Sequence, residues 1–168
     1  KSGGGITLSG GEPLQQKDFA LDILQKCREH RIHTAVETNL LTDINTLEAF
    51  LPWVDLWMCD FKMADDTLHR KWTGHSNVPI IKNLEFLAKQ AVPMTIRTPI
   101  IPNVNDSEEA IESICRFIRQ LPNQPAYELL GFHSLGFVKF ENLGMKNPLS
   151  NSAFLKKGQL QKLNEILI

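Results

Sequence analysis

Short apolar runs of strand type alternate along this chain with longer segments in which apolar residues recur every three or four positions. The first pattern is typical of buried β-strands and the second of amphipathic helices. The predicted strands are Gly5–Leu8, His33–Thr38, Asp55–Lys62, Met94–Pro99 and Tyr127–Phe132. The predicted helices are Asp18–Arg31, Thr42 to about Leu51, Asp65–Trp72, Val78–Gln90, Asp106 to about Leu121, and Leu155–Leu167.

Several helix ends carry capping signals. Thr42 and Asn77 precede apolar-periodic segments and are predicted N-caps. Asp106 and Glu109 have the spacing of a capping box. These signals predict where three of the helices begin.

The alternation of near-continuously apolar strands with helices predicts an α/β fold, in which a parallel sheet is covered by helices. Five β/α units are visible in 168 residues. A closed eight-stranded barrel usually takes about 250 residues, so five units form an open sheet or part of a smaller barrel. We expect a single domain over residues 1–168. The first strand would otherwise be an uncovered edge, so we also expect this domain to be the C-terminal portion of a longer protein.

Composition and charge exclude several classes of function. The net charge of −1 argues against a nucleic-acid binder driven by phosphate neutralisation and against an electrostatic membrane anchor. No apolar run approaches the roughly 20 residues that span a bilayer. Cys27, Cys59 and Cys115 are far apart and form no short-spaced metal motif. We interpret them as reduced, mostly buried thiols of a cytoplasmic protein.

Polar residues gather where the predicted strands end, which is where parallel α/β folds bind ligands. They are Ser9, Gly10, Gly11 and Glu12 after the first strand, Glu37, Thr38 and Asn39 at the second, Asp60 and Lys62 at the third, Arg97 and Thr98 at the fourth, and His133 at the fifth. The two-residue period of a strand puts Met58, Asp60 and Lys62 on one face and Cys59 and Phe61 on the other. Opposite charges on one face suit a zwitterionic ligand.

Each feature also has a purely structural interpretation. The glycines are also typical of turns. Asp60 and Lys62 are also compatible with a structural ion pair, and Arg97 with neutralising Glu37 or Asp60. His133 and Met58 are alternatively core residues. The functional interpretation is favoured over these alternatives because five predicted strands all place polar groups at the same rim.

The residues also resemble a known family. The run GGGITLSGGEPL, residues 3–14, resembles the second strand and GGE motif of radical SAM enzymes, and more narrowly of glycyl-radical-enzyme activating enzymes of the pyruvate formate-lyase activating type. Four further segments resemble the third to sixth strands of that family in the same order. They are TAVETN at 34–39, DLWMCDFK at 55–62, IRTPIIP at 96–102 and ELLGFHSLG at 128–136. The implied fold is a partial (β/α)6 TIM-like barrel with about five of six units present.

The resemblance implies roles for these residues in binding S-adenosylmethionine. Gly10, Gly11 and Glu12 would hold its amino group, largely through the backbone. Lys62 would contact its carboxylate, and Asp60 and His133 its ribose and adenine side.

Three further side chains complete the implied site. Glu37 and Thr38 would add acceptors near the amino acid moiety, and Arg97 belongs to the same binding set. As a separate hypothesis, Glu37, Met58 and Asp60 would help to bind a monovalent cation beside the ligand carboxylate.

Two departures from the family pattern stand out. The Cys-x-x-x-Cys-x-x-Cys motif, which would bind a [4Fe–4S] cluster, lies upstream of GGE in the family and is absent from this sequence. We therefore expect no catalytic residue and no cluster ligand in this chain, and no activity from it alone. Gly131 stands where the family pattern has a proline, which bears on the placement of His133.

The implied function is that of a radical SAM activase, an oxidoreductase that cleaves S-adenosylmethionine reductively and generates a glycyl radical on a partner enzyme such as pyruvate formate-lyase. The resemblance also implies an electron donor such as flavodoxin or ferredoxin. Two other functions stay open at this point. One is a barrel enzyme that binds a phosphorylated metabolite at Gly10–Gly11 and the following helix N-terminus. The other is a non-catalytic domain that docks a partner.

Overall fold

Five parallel strands form a single sheet in the computed structural model, which describes residues 4–134, 136–147, 149–150, 155 and 157–167. The strands lie in chain order, β1-β2-β3-β4-β5, so each pairs with the next one along the sequence. Their bounds are Gly5–Leu8 for β1, His33–Thr38 for β2, Leu56–Asp60 for β3, Met94–Ile100 for β4 and Ala126–Gly131 for β5. The predicted α/β class and all five strands are confirmed, with ends that shift by one or two residues.

Helices connect the strands and cover one face of the sheet. They are α1 Lys17–Glu29, α2 Ile44–Phe50, α3 Asp66–Thr73, α4 Val78–Lys89, α5 Glu108–Gln120, α6 Phe137–Asn142 and α7 Gln159–Asn164. Short 3-10 turns lie at Pro13–Gln16, Leu51–Trp53 and Glu165–Leu167. The short helix α6 was not predicted. The last predicted helix begins at Gln159 rather than near Leu155, after the left-handed Gly158.

Two of the three predicted caps are wrong, each by one residue. Asp43 rather than Thr42 caps α2, because its carboxylate accepts from the Thr46 amide at 2.9 Å. Ser107 rather than Asp106 caps α5 and accepts from the Ala110 amide. The chain adopts the extended backbone conformation of an N-cap at these two neighbouring positions, which sequence spacing does not distinguish.

Asn77 lies at the N-cap position of α4, as predicted, but its side chain makes no capping bond to the helix. Its amide donates instead to the carbonyls of Met63 and Ala64, at 3.0 and 2.9 Å, and fastens the segment before α3 to the start of α4.

The helix-covered face of the sheet holds the main core. Trp57, Cys59 and Phe61 point to this side and are fully buried, and the Phe61 ring packs on Phe117 with 5.2 Å between centroids. Burial of one such large side chain contributes roughly 1.5–3 kcal/mol. Because side chains alternate along a strand, Met58 and Asp60 must point to the opposite, inner face, as predicted.

The three cysteines are free thiols, and all are buried, as predicted. Burial raises the pKa of Cys59 and of Cys115 above the ordinary thiol value. No helix among the described residues is both long and apolar enough to cross a bilayer.

Asp66 links α3 to the start of α4 and offers a test of this junction. Its carboxylate accepts from the Ser76 hydroxyl, the Arg70 guanidinium and the Asn77 amide at 2.7–2.8 Å. These bonds, that from Ser76 first, lower the pKa of Asp66 from 3.8 to about 2. The unfolded chain therefore binds more protons between these values, and the stability due to Asp66 is lost as the pH falls through them.

We expect Asp66→Asn to lower the urea midpoint near neutral pH, with a difference from the unsubstituted protein that vanishes as the pH falls to about 2. Urea unfolding followed across this pH range measures the effect. The matched control is Asp18→Asn, an exposed acid in the first turn of α1. A constant difference at every pH would contradict this account of Asp66.

Candidate functional site

Strand register brings four charged side chains together at the C-terminal rim of the inner face. Glu37 of β2 is paired with Met58 of β3, and Asp60 of β3 is paired with Arg97 of β4. Directly paired residues of a parallel sheet lie on the same face. Glu37, Asp60 and Arg97 therefore converge, and Lys62, just beyond β3, reaches back to them.

These side chains form a chain of alternating charge, which we call the rim network: Glu37, Arg97, Asp60 and Lys62. The Arg97 Nη2 atom contacts Glu37 Oε1 and lies 3.3 Å from Asp60 Oδ1. The Lys62 Nζ atom lies 3.1 Å from Asp60 Oδ2, the other oxygen of the same carboxylate. The predicted ion pair between Asp60 and Lys62 and the predicted neutralisation by Arg97 are both present. The two contacts share the Asp60 carboxylate, so they belong to one connected network.

Hydrogen bonding keeps the first acid of the network ionised. The Ser9 hydroxyl, in the loop after β1, donates to Glu37 Oε2. This bond lowers the pKa of Glu37, partial burial opposes the shift, and Arg97 lowers the pKa further. Burial alone would lower the pKa of Arg97, but the bond to Glu37 and the charge of Asp60 outweigh it and raise this pKa. Glu37 and Arg97 therefore form a stable pair of opposite charge.

The glycine-rich loop after β1 lies beside this network. Gly10 has φ +96°, a conformation that favours glycine. A Cβ atom added at Gly10 or Gly11 would meet no atom within 4 Å, so the backbone here faces open space. Gly3, at the start of the predicted glycine run, lies outside the described residues. The loop therefore leaves its peptide groups accessible to a ligand.

Glu12 has a role that the sequence did not indicate. Its carboxylate accepts from the Thr38 hydroxyl at 2.7 Å and from the Asn39 amide at 2.8 Å, and so joins the glycine loop to the end of β2. It also accepts from the Leu14 amide at 3.3 Å. The side chain of Glu12 is thus engaged within the protein, which leaves the backbone of the loop to contact a ligand.

Two other predicted site residues lie apart from the rim network. Thr38 is buried on the opposite face from Glu37, and its hydroxyl is engaged by Glu12 and by the Leu40 amide. Any direct contact from Thr38 to a ligand would therefore involve its backbone. His133 is exposed after the end of β5, so it is not a core histidine. Within the described part of the chain, no hydrogen bond joins His133 to the network.

The three predicted ligands of a monovalent cation, Glu37, Met58 and Asp60, already share one cationic neighbour. The Arg97 guanidinium contacts both carboxylates, and its Nη1 atom lies 3.8 Å from the Met58 sulfur. Met58 is half-buried on the inner face and is not a core residue. The cation site stays a prediction, and a cation would have to bind beside this guanidinium or displace it.

Asn105 supports the rim from behind, and it was not among the site residues predicted from the sequence. It is buried, and its amide nitrogen donates to the carbonyls of Lys62 and Pro99 at 2.9 Å each. Its amide oxygen accepts from the Ile101 amide at 2.7 Å. Asn105 thereby ties the chain just after β3 to the end of β4. A single asparagine in a loop carries no periodic signal, so only the folded structure identifies it.

Comparison with known proteins supports the resemblance seen in the motifs. Residues 1–117 match the family model described as the Radical SAM superfamily. The chain is 40% identical over 158 residues to the isethionate sulfite-lyase activating enzyme of Desulfovibrio desulfuricans, covering 93% of this chain and 50% of that enzyme. It is 36% identical over 165 residues to the indoleacetate decarboxylase activating enzyme of Tractidigestivibacter scatoligenes, covering 98% and 52%. The chain thus spans about half the length of these curated relatives.

A solved structure is similar over nearly its whole length. The crystal structure of a domain of pyruvate-formate lyase-activating enzyme from Bacteroides vulgatus superimposes with a TM-score of 0.81 at 31% identity. The match covers 98% of this chain and 92% of that chain. The five-stranded sheet described above is therefore the partial TIM-like barrel of such proteins.

Proposed function

The chain belongs to the radical SAM superfamily, and from this premise we propose that it is the S-adenosylmethionine-binding part of an activase that generates a glycyl radical on a partner enzyme. Radical SAM enzymes use S-adenosylmethionine and a [4Fe–4S] cluster. The relatives named above are activating enzymes for different glycyl radical enzymes. The activity of the whole protein, and its reductive cleavage of S-adenosylmethionine, belong to this proposal.

The observation that carries the proposal is the rim network beside an open glycine loop. S-adenosylmethionine has a carboxylate, an ammonium and a sulfonium, so it needs groups of both signs at short range. Lys62 is suited to the carboxylate, and its side chain is 31% exposed and so can be reached. Glu37 and the loop backbone are suited to the ammonium, and Asp60 to the ribose hydroxyls. His133 is proposed on the adenine side. The residues present fit this ligand.

The described residues do not fit an iron–sulfur cluster. Such a cluster is held by several cysteine thiolates that converge on one point. Cys27, Cys59 and Cys115 are buried on α1, β3 and α5. Within the described ranges, no three His, Cys, Asp or Glu side chains could hold a metal ion together. We therefore assign these residues to ligand binding and orientation, and assign no electron-transfer step to them.

The glycine loop is less suited to a phosphorylated metabolite. The segment after Gly11 is a four-residue 3-10 turn, and the carboxylate of Glu12 already caps it. A phosphate at Gly10–Gly11 would also approach the ionised carboxylate of Glu37. A ligand with a cationic group is favoured instead.

The partner and the electron donor are proposed at the level of class. The partner is a glycyl radical enzyme, and pyruvate formate-lyase is one candidate within that class. Flavodoxin or ferredoxin as electron donor, the cytoplasmic location, and the lack of activity of these residues alone stay predictions.

Lys62→Met is expected to weaken binding of S-adenosylmethionine by the intact protein about tenfold or more, the usual effect of losing a charge-assisted bond. Isothermal titration calorimetry under anaerobic conditions measures this affinity. Lys89→Met, on an exposed residue at the end of α4, is the matched control and should bind normally. Binding of inorganic phosphate without affinity for S-adenosylmethionine would refute the proposed function.

A further inference from the structure

Arg97 is the most enclosed member of the rim network. It lies on β4, directly across from Asp60, and its side chain is only 12% exposed. The side chains of Glu37 and Asp60 remain 28% and 27% exposed. The arginine side chain is therefore the more enclosed, while the two acids remain accessible.

One nitrogen of Arg97 holds both acids. Its Nη2 atom contacts Glu37 from β2 and Asp60 from β3, and its Nη1 atom contacts the Met58 sulfur. Two carboxylates within reach of one nitrogen repel each other strongly unless a cation lies between them. Lys62 lies on the other oxygen of Asp60 and, within the described residues, makes no ion pair with Glu37. Arg97 is thus the cation that joins the two acids.

The remaining donor of Arg97 supports this view. Its Nε atom is buried and has no hydrogen-bond partner among the described residues. A buried donor without an acceptor is unfavourable, so Nε does not hold the guanidinium in place. The contacts of Nη1 and Nη2 must do so. The position of Arg97 is therefore set by Glu37, Asp60 and Met58.

We propose that Arg97 is a positioning residue, whose guanidinium supplies the fixed positive charge that holds Glu37 and Asp60 in place to receive a cationic amino acid ligand. This inference rests on the proposed function for the identity of the ligand, S-adenosylmethionine. It assigns to an arginine of the sheet the place predicted for a monovalent cation. Arg97 acts through the two acids, and the ligand need not touch it.

The test uses Arg97→Ala and Arg97→Lys in the intact protein, with Arg116→Ala, an exposed arginine of α5, as the matched control. Arg97→Ala should weaken binding of S-adenosylmethionine by roughly tenfold or more, because Glu37 and Asp60 lose the contacts that hold them in place and a misplaced binding group costs a large factor. Arg97→Lys should restore much of the affinity. Millimolar guanidinium chloride should restore affinity in Arg97→Ala alone, because the free ion can occupy the vacated position.

Two results would overturn the inference. Unchanged affinity in Arg97→Ala would show that the two acids need no fixed cation. Weakened affinity that neither lysine nor guanidinium restores would show that the arginine acts by direct contact or by shape. Restoration by potassium or sodium as well as by guanidinium would keep the inference, because any small cation would then serve between the acids.

A second readout does not depend on the ligand. Arg97→Ala should lower the melting temperature, and addition of Glu37→Gln to it should recover part of the loss by removing the repulsion from Asp60. If the unsubstituted protein does not bind S-adenosylmethionine, the proposed function fails, but recovery of the melting temperature still supports the role of Arg97. Absence of any recovery would refute it.

Discussion

Asn105→Leu is expected to destabilise the protein by about 3 kcal/mol or more, because three partly buried backbone groups lose a side-chain partner and each unsatisfied group costs about 1–3 kcal/mol. The groups are the carbonyls of Lys62 and Pro99 and the amide of Ile101. Leucine has the same number of side-chain heavy atoms as asparagine and branches at the same carbon, but it neither donates nor accepts a hydrogen bond. Native proteins are stable by only about 5–15 kcal/mol, so this loss is a large share of the total.

The same substitution should weaken binding of S-adenosylmethionine. Asn105 holds the carbonyl of Lys62, and the Lys62 amine reaches Asp60 at 3.1 Å. Release of that backbone loosens the lysine that we propose for the ligand carboxylate. A positioning error of about 1 Å is enough to cost a large factor in binding or rate.

Urea unfolding and calorimetric titration of the intact protein measure both effects. Asn45→Leu, on an exposed residue in the first turn of α2, is the matched control, and we expect it to change stability by less than about 0.5 kcal/mol. A loss of less than about 1 kcal/mol for Asn105→Leu would contradict the role that we assign to this side chain.

Glu12→Gln is expected to weaken binding of S-adenosylmethionine about tenfold or more and to destabilise the protein by roughly 1–3 kcal/mol. The carboxylate accepts from Thr38 and Asn39 on its two oxygens. Glutamine has one acceptor oxygen, and its amide group would oppose one of these donors. The glycine loop would then separate from the end of β2, and Gly10 and Gly11 would lose their position relative to Glu37.

The matched control for Glu12→Gln is Glu48→Gln, an exposed acid within α2, which should leave affinity and stability unchanged. Calorimetry and urea unfolding again supply the two measurements. Lower stability with normal affinity would mean that the loop does not take part in binding. Normal stability with lower affinity would mean that Glu12 contacts the ligand rather than β2.

The elements of the fold were predictable because each carries a local signal. The strands are short apolar runs, and the helices have apolar residues at the helical period. Their order alone implied a parallel sheet, and all five strands were confirmed. Two helix caps were predicted one residue too early, because capping depends on the backbone angle of one residue and neighbours such as Thr42 and Asp43 are both suitable types.

Part of the site could also be derived from the sequence. The period of β3 placed Met58 and Asp60 on the inner face, away from Cys59. The roles of Asn105 and of the Glu12 side chain could not be derived. Each bonds to groups more than 25 residues away, and such a bond depends on how two distant segments pack.

The sequence by itself determined that this is a parallel α/β protein with polar residues at the carboxyl ends of its strands, because periodicity and strand polarity are local properties. Only the tertiary structure decided which of those residues pair. The register of β2, β3 and β4 put one arginine between two acids that lie 23 residues apart, a relation that depends on packing of the intervening helix. Arg97 was one candidate among several in the sequence, and in the folded sheet it is the centre of the rim network.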